Sequence, residues 1–312
     1  MIRNFEDLNL FIRVGLRPRL VVAAAAEIDV LKAVSDAKKR HLICVILIGN
    51  QIDILKISNN EKIELSNIEI IDIEDPGLAC EKAVEMVRLG QADFIMKGLV
   101  DTSIFLKAVI NKTKGLMTGR LLSSVMVLKI STYHKFLILS DGGMIISPDF
   151  EKKKGIIENA LDLAKILGIH PIKVACLAAK EKVNPKMQAT VDAQTLKELW
   201  KTGYFGDDVI VDGPMAMDLI ISKKSAQVKG YVSDVAGDAD IVLAPNIETG
   251  NAIAKIMTYL GNAQLAGVVM GAKVPIVLTS RSDSYQNKLN SIALGAYIAT
   301  RERHRNIREE QK

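Results

Sequence analysis

Cysteine, histidine and aromatic residues are all scarce in this sequence, and each scarcity closes off a chemistry. There are 3 cysteines in 312 residues. Cys44, Cys80 and Cys176 have no metal-ligand spacing; Cys44 and Cys176 stand inside apolar strand-like runs, where a thiol acts as a small hydrophobe, so the cysteines read as buried core. A chain this long buries enough apolar surface to need no disulfide staples. The 4 histidines, His41, His134, His170 and His304, form no HxxxH or HExxH pair, which argues against structural zinc. Aromatic residues make up 4% of the chain and the net charge is +5. A nucleic-acid surface wants a basic stripe interleaved with stacking rings, so no nucleic-acid partner is expected. The one basic cluster, Arg301, Arg303, Arg305 and Arg308, ends the last predicted helix, where the dipole favours cations. The mild positive excess also suits an enzyme for polyanionic substrates.

Long apolar runs are missing too. Leu42 to Ile48 is far short of the ~18–20 residues that span a bilayer. Arg3, Glu6, Asp7 and Arg13 interrupt the first stretch of chain, unlike the unbroken apolar core of a secretory signal. A cytoplasmic protein without a membrane partner is expected. No GxGxxG, Walker A or GxSxG signature occurs, which removes the commonest nucleotide and hydrolase readings.

What is present is a repeated alternation of strand and helix. Arg19 to Ala25 reads as a buried strand, Glu27 to Arg40 as a helix with Val30, Leu31, Val34 and Ala37 on one face, and Leu42 to Ile48 as the next strand. The pattern returns with a helix from Gly77 to Leu89, stopped by Gly90, and a strand from Asp93 to Met96. It continues through a helix from Glu151 to Leu167, a strand from Lys173 to Ala179, a helix from Ala189 to Lys201, and strands at Val209 to Asp212 and Asp240 to Ala244. A long closing helix is predicted from Ser284 to Arg303, and a hinge near Lys129 to Lys135, where the helical period is lost. Such alternation implies parallel sheets, in which ligands sit beyond the C-terminal strand ends. That directs attention to Lys180 to Pro185, Gly213-Pro214 and Pro245 to Gly250.

Two further strand-to-helix junctions carry more chemistry. Met96-Lys97-Gly98-Leu99-Val100-Asp101-Thr102-Ser103 places a lysine, a glycine and two hydroxyls before a helix from Ile104 to Ile110. Helix-terminal amides with hydroxyls make an anion site, although Asp101, Thr102 or Ser103 would also serve as a plain cap. Leu278-Thr279-Ser280-Arg281-Ser282-Asp283-Ser284 adds a guanidinium, which grips phosphate oxygens bidentately. Asp283 reads either as a general base or as a cap. Leu139-Ser140-Asp141-Gly142-Gly143-Met144 and Lys182-Val183-Asn184-Pro185-Lys186-Met187 are compatible with ligand loops or with turns.

Taken in order with Val211-Asp212-Gly213-Pro214 and Val235-Ala236-Gly237-Asp238-Ala239-Asp240, these segments resemble the phosphate acetyl/butyryltransferase family, in its butyryl branch, from about Asp72 to about Ala293. The resemblance implies an α/β chain of two α/β/α domains of isocitrate/isopropylmalate dehydrogenase-like type with an interdomain cleft. It implies a first domain of residues 1–130 and 285–312 and a second of 131–284. The reaction it implies joins a short-chain acyl-CoA and inorganic phosphate to acyl phosphate and CoA, without metal or separate cofactor, in a homodimer or larger assembly. Carried over by motif, Ser280 and Arg281 are the catalytic pair, with Arg281 on phosphate. Lys97, Gly98, Thr102 and Ser103 are expected to bind phosphate or CoA with it; Arg120 falls where acetyl-transferring relatives carry a second active-site arginine, and Lys107 where they have an arginine on the helix after the Lys-Gly motif. Those relatives place an Asp seven residues after the Ser; Asn287 stands there in this chain, so the resemblance implies either that Asp283 substitutes as the base or that the branch relies on lowering the thiol pKa electrostatically. Acetyl transfer, or a catalytically weak acyl-CoA-binding relative, are the alternatives that the same likeness allows.

Overall fold

A computed structural model describes residues 2–12 and 17–310, with side chains as far as Arg303 in the last helix. Arg13 and the side chains of His304, Arg305 and Arg308 lie outside the described residues. In chain order the elements are α1 (Phe5–Ile12), β1 (Arg19–Ala23), α2 (Ile28–Lys39), β2 (Cys44–Gly49), α3 (Gln51–Glu61), β3 (Glu69–Asp72), α4 (Pro76–Arg88), β4 (Phe94–Lys97) and α5 (Thr102–Val109). Then come β5 (Ser123–Lys129), β6 (Phe136–Ser140), α6 (Phe150–Ile166), β7 (Ile172–Leu177), α7 (Gln188–Lys201), β8 (Val209–Met215), α8 (Met217–Ile221), α9 (Lys223–Val228), β9 (Ile241–Leu243) and α10 (Ile247–Tyr259). The chain closes with β10 (Gln264–Met270), β11 (Ile276–Val277) and α11 (Tyr285–Glu310). Among the described residues no helix is long and apolar enough to cross a membrane.

The chain divides into two compact units, one of Asn4–Arg120 with Ala266–Lys312 and one of Met1–Arg3 with Leu121–Leu265. In the first, the strand order is β3-β2-β1-β4-β11-β10. The pairs from β3 to β11 are parallel and β10 runs antiparallel to β11. In the second, β5-β6-β9-β7-β8 is parallel except for the β5–β6 hairpin.

Local sequence accounts for these elements. Four of the five residues of β1 are buried, as expected of a parallel strand covered on both faces. Helix α4 opens with Asp75, whose side chain accepts the Leu78 N–H at 2.7 Å, and with Pro76 in its first turn, both standard start signals. The first half of α11 buries Leu289, Ile292, Leu294, Ala296 and Ile298. A side chain at Gly295 would come within 2.8 Å of Val277 and 3.0 Å of Phe94, so this glycine lets α11 lie directly on β11 and β4.

Three sequence expectations change. Cys44 is exposed, unlike Cys80 and Cys176, because it is the first residue of β2, at the strand's open end. Lys129 to Lys135 is not a hinge: it closes the hairpin in which Val125 to Lys129 pair with Phe136 to Ser140. Gly213-Pro214 lies inside β8 rather than in a loop after it.

Candidate functional site

The site begins with a strand pairing. β11 lies parallel to β4, with Ile276 opposite Ile95 and Val277 opposite Met96. Two segments far apart in sequence therefore leave the C-terminal ends of adjacent strands together, Lys97 to Asp101 on one side and Leu278 to Ser284 on the other. The first is pressed onto the end of β1: Gly98 N–H donates to Ala23 O at 2.8 Å and Leu99 N–H to Ala24 O at 2.7 Å. A Cβ at position 98 would sit 2.3 Å from Ala24 O. Only glycine fits there.

Lys97, the last residue of β4, is 5% exposed. Its ammonium turns back on its own loop, donating to the carbonyls of Gly98 (3.1 Å) and Val100 (3.0 Å). Burial pushes its pKa below the ordinary lysine value, the Glu27 carboxylate opposes that, and the neighbouring Arg281 charge adds to it. Lys97, Glu27 and Arg281 thus share one electrostatic environment.

Arg281 projects from the other loop. Its Nη2 donates to Asp101 Oδ1 at 2.9 Å, with both side chains about two-thirds exposed, 66% and 69%. Asp101 occupies the N-cap position of α5 yet makes no side-chain cap. Thr102 and Ser103, exposed beside it, provide the first amides of α5, which have no intrahelical acceptor. A guanidinium tied to a helix start that carries hydroxyls and open amides is an arrangement that can receive an oxyanion.

The 280–283 loop is closed by its own polar groups. Ser280 N–H donates to Asp283 Oδ2 at 2.8 Å, Asp283 N–H returns a bond to Ser280 O at 3.1 Å, and the Oγ atoms of Ser280 and Ser282 are 3.1 Å apart. Asp283 therefore closes the loop rather than capping α11. Ser284 takes the cap, accepting the Asn287 N–H at 3.3 Å. Beneath the loop Lys288 is 1% exposed; its Nζ donates to Asp283 O at 2.8 Å and Ser280 O at 3.4 Å and pairs with Glu27 at 3.3 Å.

Other candidates lie elsewhere in the same unit. Lys107 faces a groove of about 750 Å³ between α4 and α5, lined also by Leu78, Glu81, Arg88, Ile104 and Lys114. Arg120 is exposed in a turn whose Thr118 hydroxyl accepts its N–H at 3.3 Å and donates to Gly271 O at 2.7 Å. In the second unit, Asp141 is buried and accepts N–H bonds from Ser124 (2.8 Å), Gly143 (2.7 Å) and Met144 (2.8 Å). Burial raises its pKa against those bonds. In the 182–187 segment, Asn184 N–H donates to the buried Thr190 hydroxyl at 2.9 Å. Sequence reasoning missed Glu27 and Lys288. A charged residue at a predicted helix start and a lysine on an otherwise apolar helix face were their only signals.

The assembled site is that of an α/β protein whose polar loops meet at the C-terminal ends of β4 and β11. The chain belongs to the phosphate acetyl/butaryl transferase family, whose model matches residues 76–296. It is 40% identical to a phosphate butyryltransferase of Clostridium beijerinckii over 301 residues, 96% of this chain and 99% of that protein. It is also 40% identical to a phosphate acetyltransferase of Thermotoga maritima over 285 residues, 91% and 96% of the two. Among solved structures, a branched-chain phosphotransacylase from Enterococcus faecalis matches with a TM-score of 0.80 and 30% identity, covering 90% of this chain and 99% of that one.

Proposed function

We propose that the protein is a phosphate butyryltransferase, interconverting butyryl-CoA plus phosphate with butyryl phosphate plus CoA. The observation that carries this reading is the parallel placement of β11 beside β4, which sets Arg281 against the Lys97 to Ser103 segment in one unit. Family membership and the butyryltransferase relative support the choice of reaction.

In this reading a phosphate oxygen, held by Arg281 and the Thr102-Ser103 helix start, attacks the thioester carbonyl carbon. The C–S bond breaks, the acyl group leaves on phosphate, and the proton from phosphate ends on the CoA sulfur. Ser280 faces the developing oxyanion and Asp283 carries the proton. Lys97 acts through the loop it braces and through its charge, Gly98 through the close approach it permits, and Arg120 and Lys107 serve the CoA phosphates. Orientation and charge stabilisation supply most of the rate, orientation alone on the order of 7–11 kcal/mol in ideal cases. CoA and phosphate are substrates; no separate cofactor is required. A homodimer or larger assembly in the cytoplasm completes the proposal.

The test is CoA release from butyryl-CoA with and without added phosphate. Release must depend on phosphate; equal release in its absence makes the protein a thioesterase. The acetyltransferase relative at the same identity motivates running acetyl-CoA in parallel, since one pocket separates acyl chains by only ~1–3 kcal/mol per methylene.

A further inference from the structure

Lys288, a buried charge, and its half-buried partner Glu27 take no part in the proposed reaction. Lys288 stands on the first turns of α11, almost wholly enclosed, and the carboxylate of Glu27 beside it is 18% exposed. Enclosing a lone ammonium is costly, and such a group persists only where a counter-charge and hydrogen bonds satisfy it. Lys288 has both, and its hydrogen bonds go to the two carbonyls that bracket the Ser280–Asp283 turn.

The same construction underlies the other loop. Lys97 is buried below its own turn and ties down the carbonyls of Gly98 and Val100. Glu27 connects the two: it pairs with Lys288 and also raises the Lys97 pKa through its charge. It does so from the N-cap position of α2, without capping that helix by its side chain. One carboxylate thus pairs with the lysine that grips the 280–283 loop and acts through its charge on the lysine that grips the 97–100 loop.

We propose that Glu27 and Lys288 are positioning residues for phosphate: an ion pair, its lysine buried, that fixes the 280–283 loop, and with it Ser280 and Arg281, relative to the Lys97 loop. This rests on the acyl-transfer reading above. Neither residue touches a reacting atom. Their contribution is to hold the guanidinium and hydroxyl in the geometry that binds the anion, so their loss falls on phosphate rather than on acyl-CoA.

The test compares Glu27→Gln/Lys288→Met with the single changes and with Lys288→Gln. Each reading combines thermal midpoint, steady-state KM for phosphate and for butyryl-CoA, and calorimetric titration with inorganic phosphate alone. The Lys288→Met and Glu27→Gln singles strand a buried charge and lose stability. The double variant, charge-balanced, recovers most of the midpoint, yet its phosphate KM and Kd stay raised roughly tenfold or more because the two loop carbonyls have lost their donor. Its butyryl-CoA KM stays within about twofold. Lys288→Gln, whose amide still donates one bond, falls between wild type and the double variant. A purely structural pair predicts recovery of midpoint and phosphate binding together, so wild-type phosphate Kd and KM in either folded variant overturn the proposal. Phosphate-independent CoA release by the wild type removes the acyl-transfer reading itself, and the positioning role with it; phosphate-dependent release with unaffected variants removes only the positioning role.

Discussion

The Arg281 guanidinium meets Asp101 Oδ1 at 2.9 Å, and the helix that Asp101 begins goes without a side-chain cap. An exposed pair of this kind stabilises a fold by ~0–1 kcal/mol, too little to hold the guanidinium against a phosphate dianion. A carboxylate engaged by one nitrogen leaves the remaining donors of the fork open to a second acceptor.

Opposite effects follow for the two partners. Arg281→Lys loses the planar fork and raises the phosphate KM roughly tenfold to a hundredfold. Asp101→Asn keeps an acceptor for Arg281 but removes a negative charge next to the incoming phosphate, so the phosphate KM falls by about two- to fivefold, more at low salt than at high. Steady-state rates at two ionic strengths check both, and a rise in KM for Asp101→Asn shows that its charge orients the guanidinium instead.

Asp283→Asn separates two roles that the wild-type side chain combines. The amide oxygen can still accept the Ser280 N–H, now at 2.8 Å from the carboxylate, so the loop stays closed and the thermal midpoint changes little. The amide cannot carry a proton. If Asp283 moves the proton between phosphate and sulfur, kcat falls roughly 10²–10⁴-fold; an unchanged kcat assigns Asp283 to loop closure alone.

Gly98→Ala tests the packing under the site. The added methyl would stand 2.3 Å from Ala24 O and 2.9 Å from Ala23 O, both backbone atoms. Backbone must shift, at a cost of about 1–3 kcal/mol or more, so a lower urea midpoint accompanies a loss of activity. Retention of both would mean that the end of β1 yields freely.

A pH-dependent contribution to stability arises in the other unit, around Asp238. Lys173 Nζ approaches it at 2.6 Å, His134 Nε2 at 2.7 Å and Lys135 Nζ at 3.1 Å. Burial acts to raise the Asp238 carboxyl, but the hydrogen bonds from Lys173, His134 and Lys135 outweigh it and hold the pKa well below the usual carboxylate range. The folded value lies below the unfolded value of ~3.9. The stabilisation is therefore complete above the unfolded value and is lost as pH falls toward the folded one. Wild type should be more stable to urea than Asp238→Asn at pH 7, and the gap should narrow at about pH 3. A gap that widens on acidification contradicts the assignment.

Much of the fold was legible because its strands are buried on both faces and its helices are clearly punctuated. The strand from Arg19 ends at Ala23 and the helix before Gly90 runs Pro76–Arg88, close to the periodicity and the glycine stop. Two helices escaped. Helix α3 buries only Ile54 and Ser58 and leaves Ile52 and Leu55 exposed, so its apolar residues mark no single face, whereas α10 sets Gly250, Ile253, Ala254 and Met257 on one face toward the core and was overlooked despite that stripe. At the site, hydroxyls, glycine and guanidinium stand in contiguous motifs and could be read directly. The pairing of Arg281 with Asp101 could not, because it depends on strand register. The expected domain boundary at 284/285 would part the 280–283 loop from Lys97, whereas compactness divides the chain at 265/266. Lys288 was passed over for a different reason: even on an apolar helix face a lysine reads as solvated until the structure shows what covers it.

The two-residue strand β11 has a bearing on how the protein comes into being. Arg281 and Asp101 are 180 positions apart in the chain, and they come together only after β11 has inserted beside β4. During synthesis the earlier loop emerges long before its counterpart, so a nascent or prematurely terminated chain ending before Ile276 presents half of an anion grip. Competence then arrives late, with the docking of the last tenth or so of the polypeptide, and proteolytic loss of that tail should silence the enzyme by removing Arg281 together with the α11 face that packs on β4.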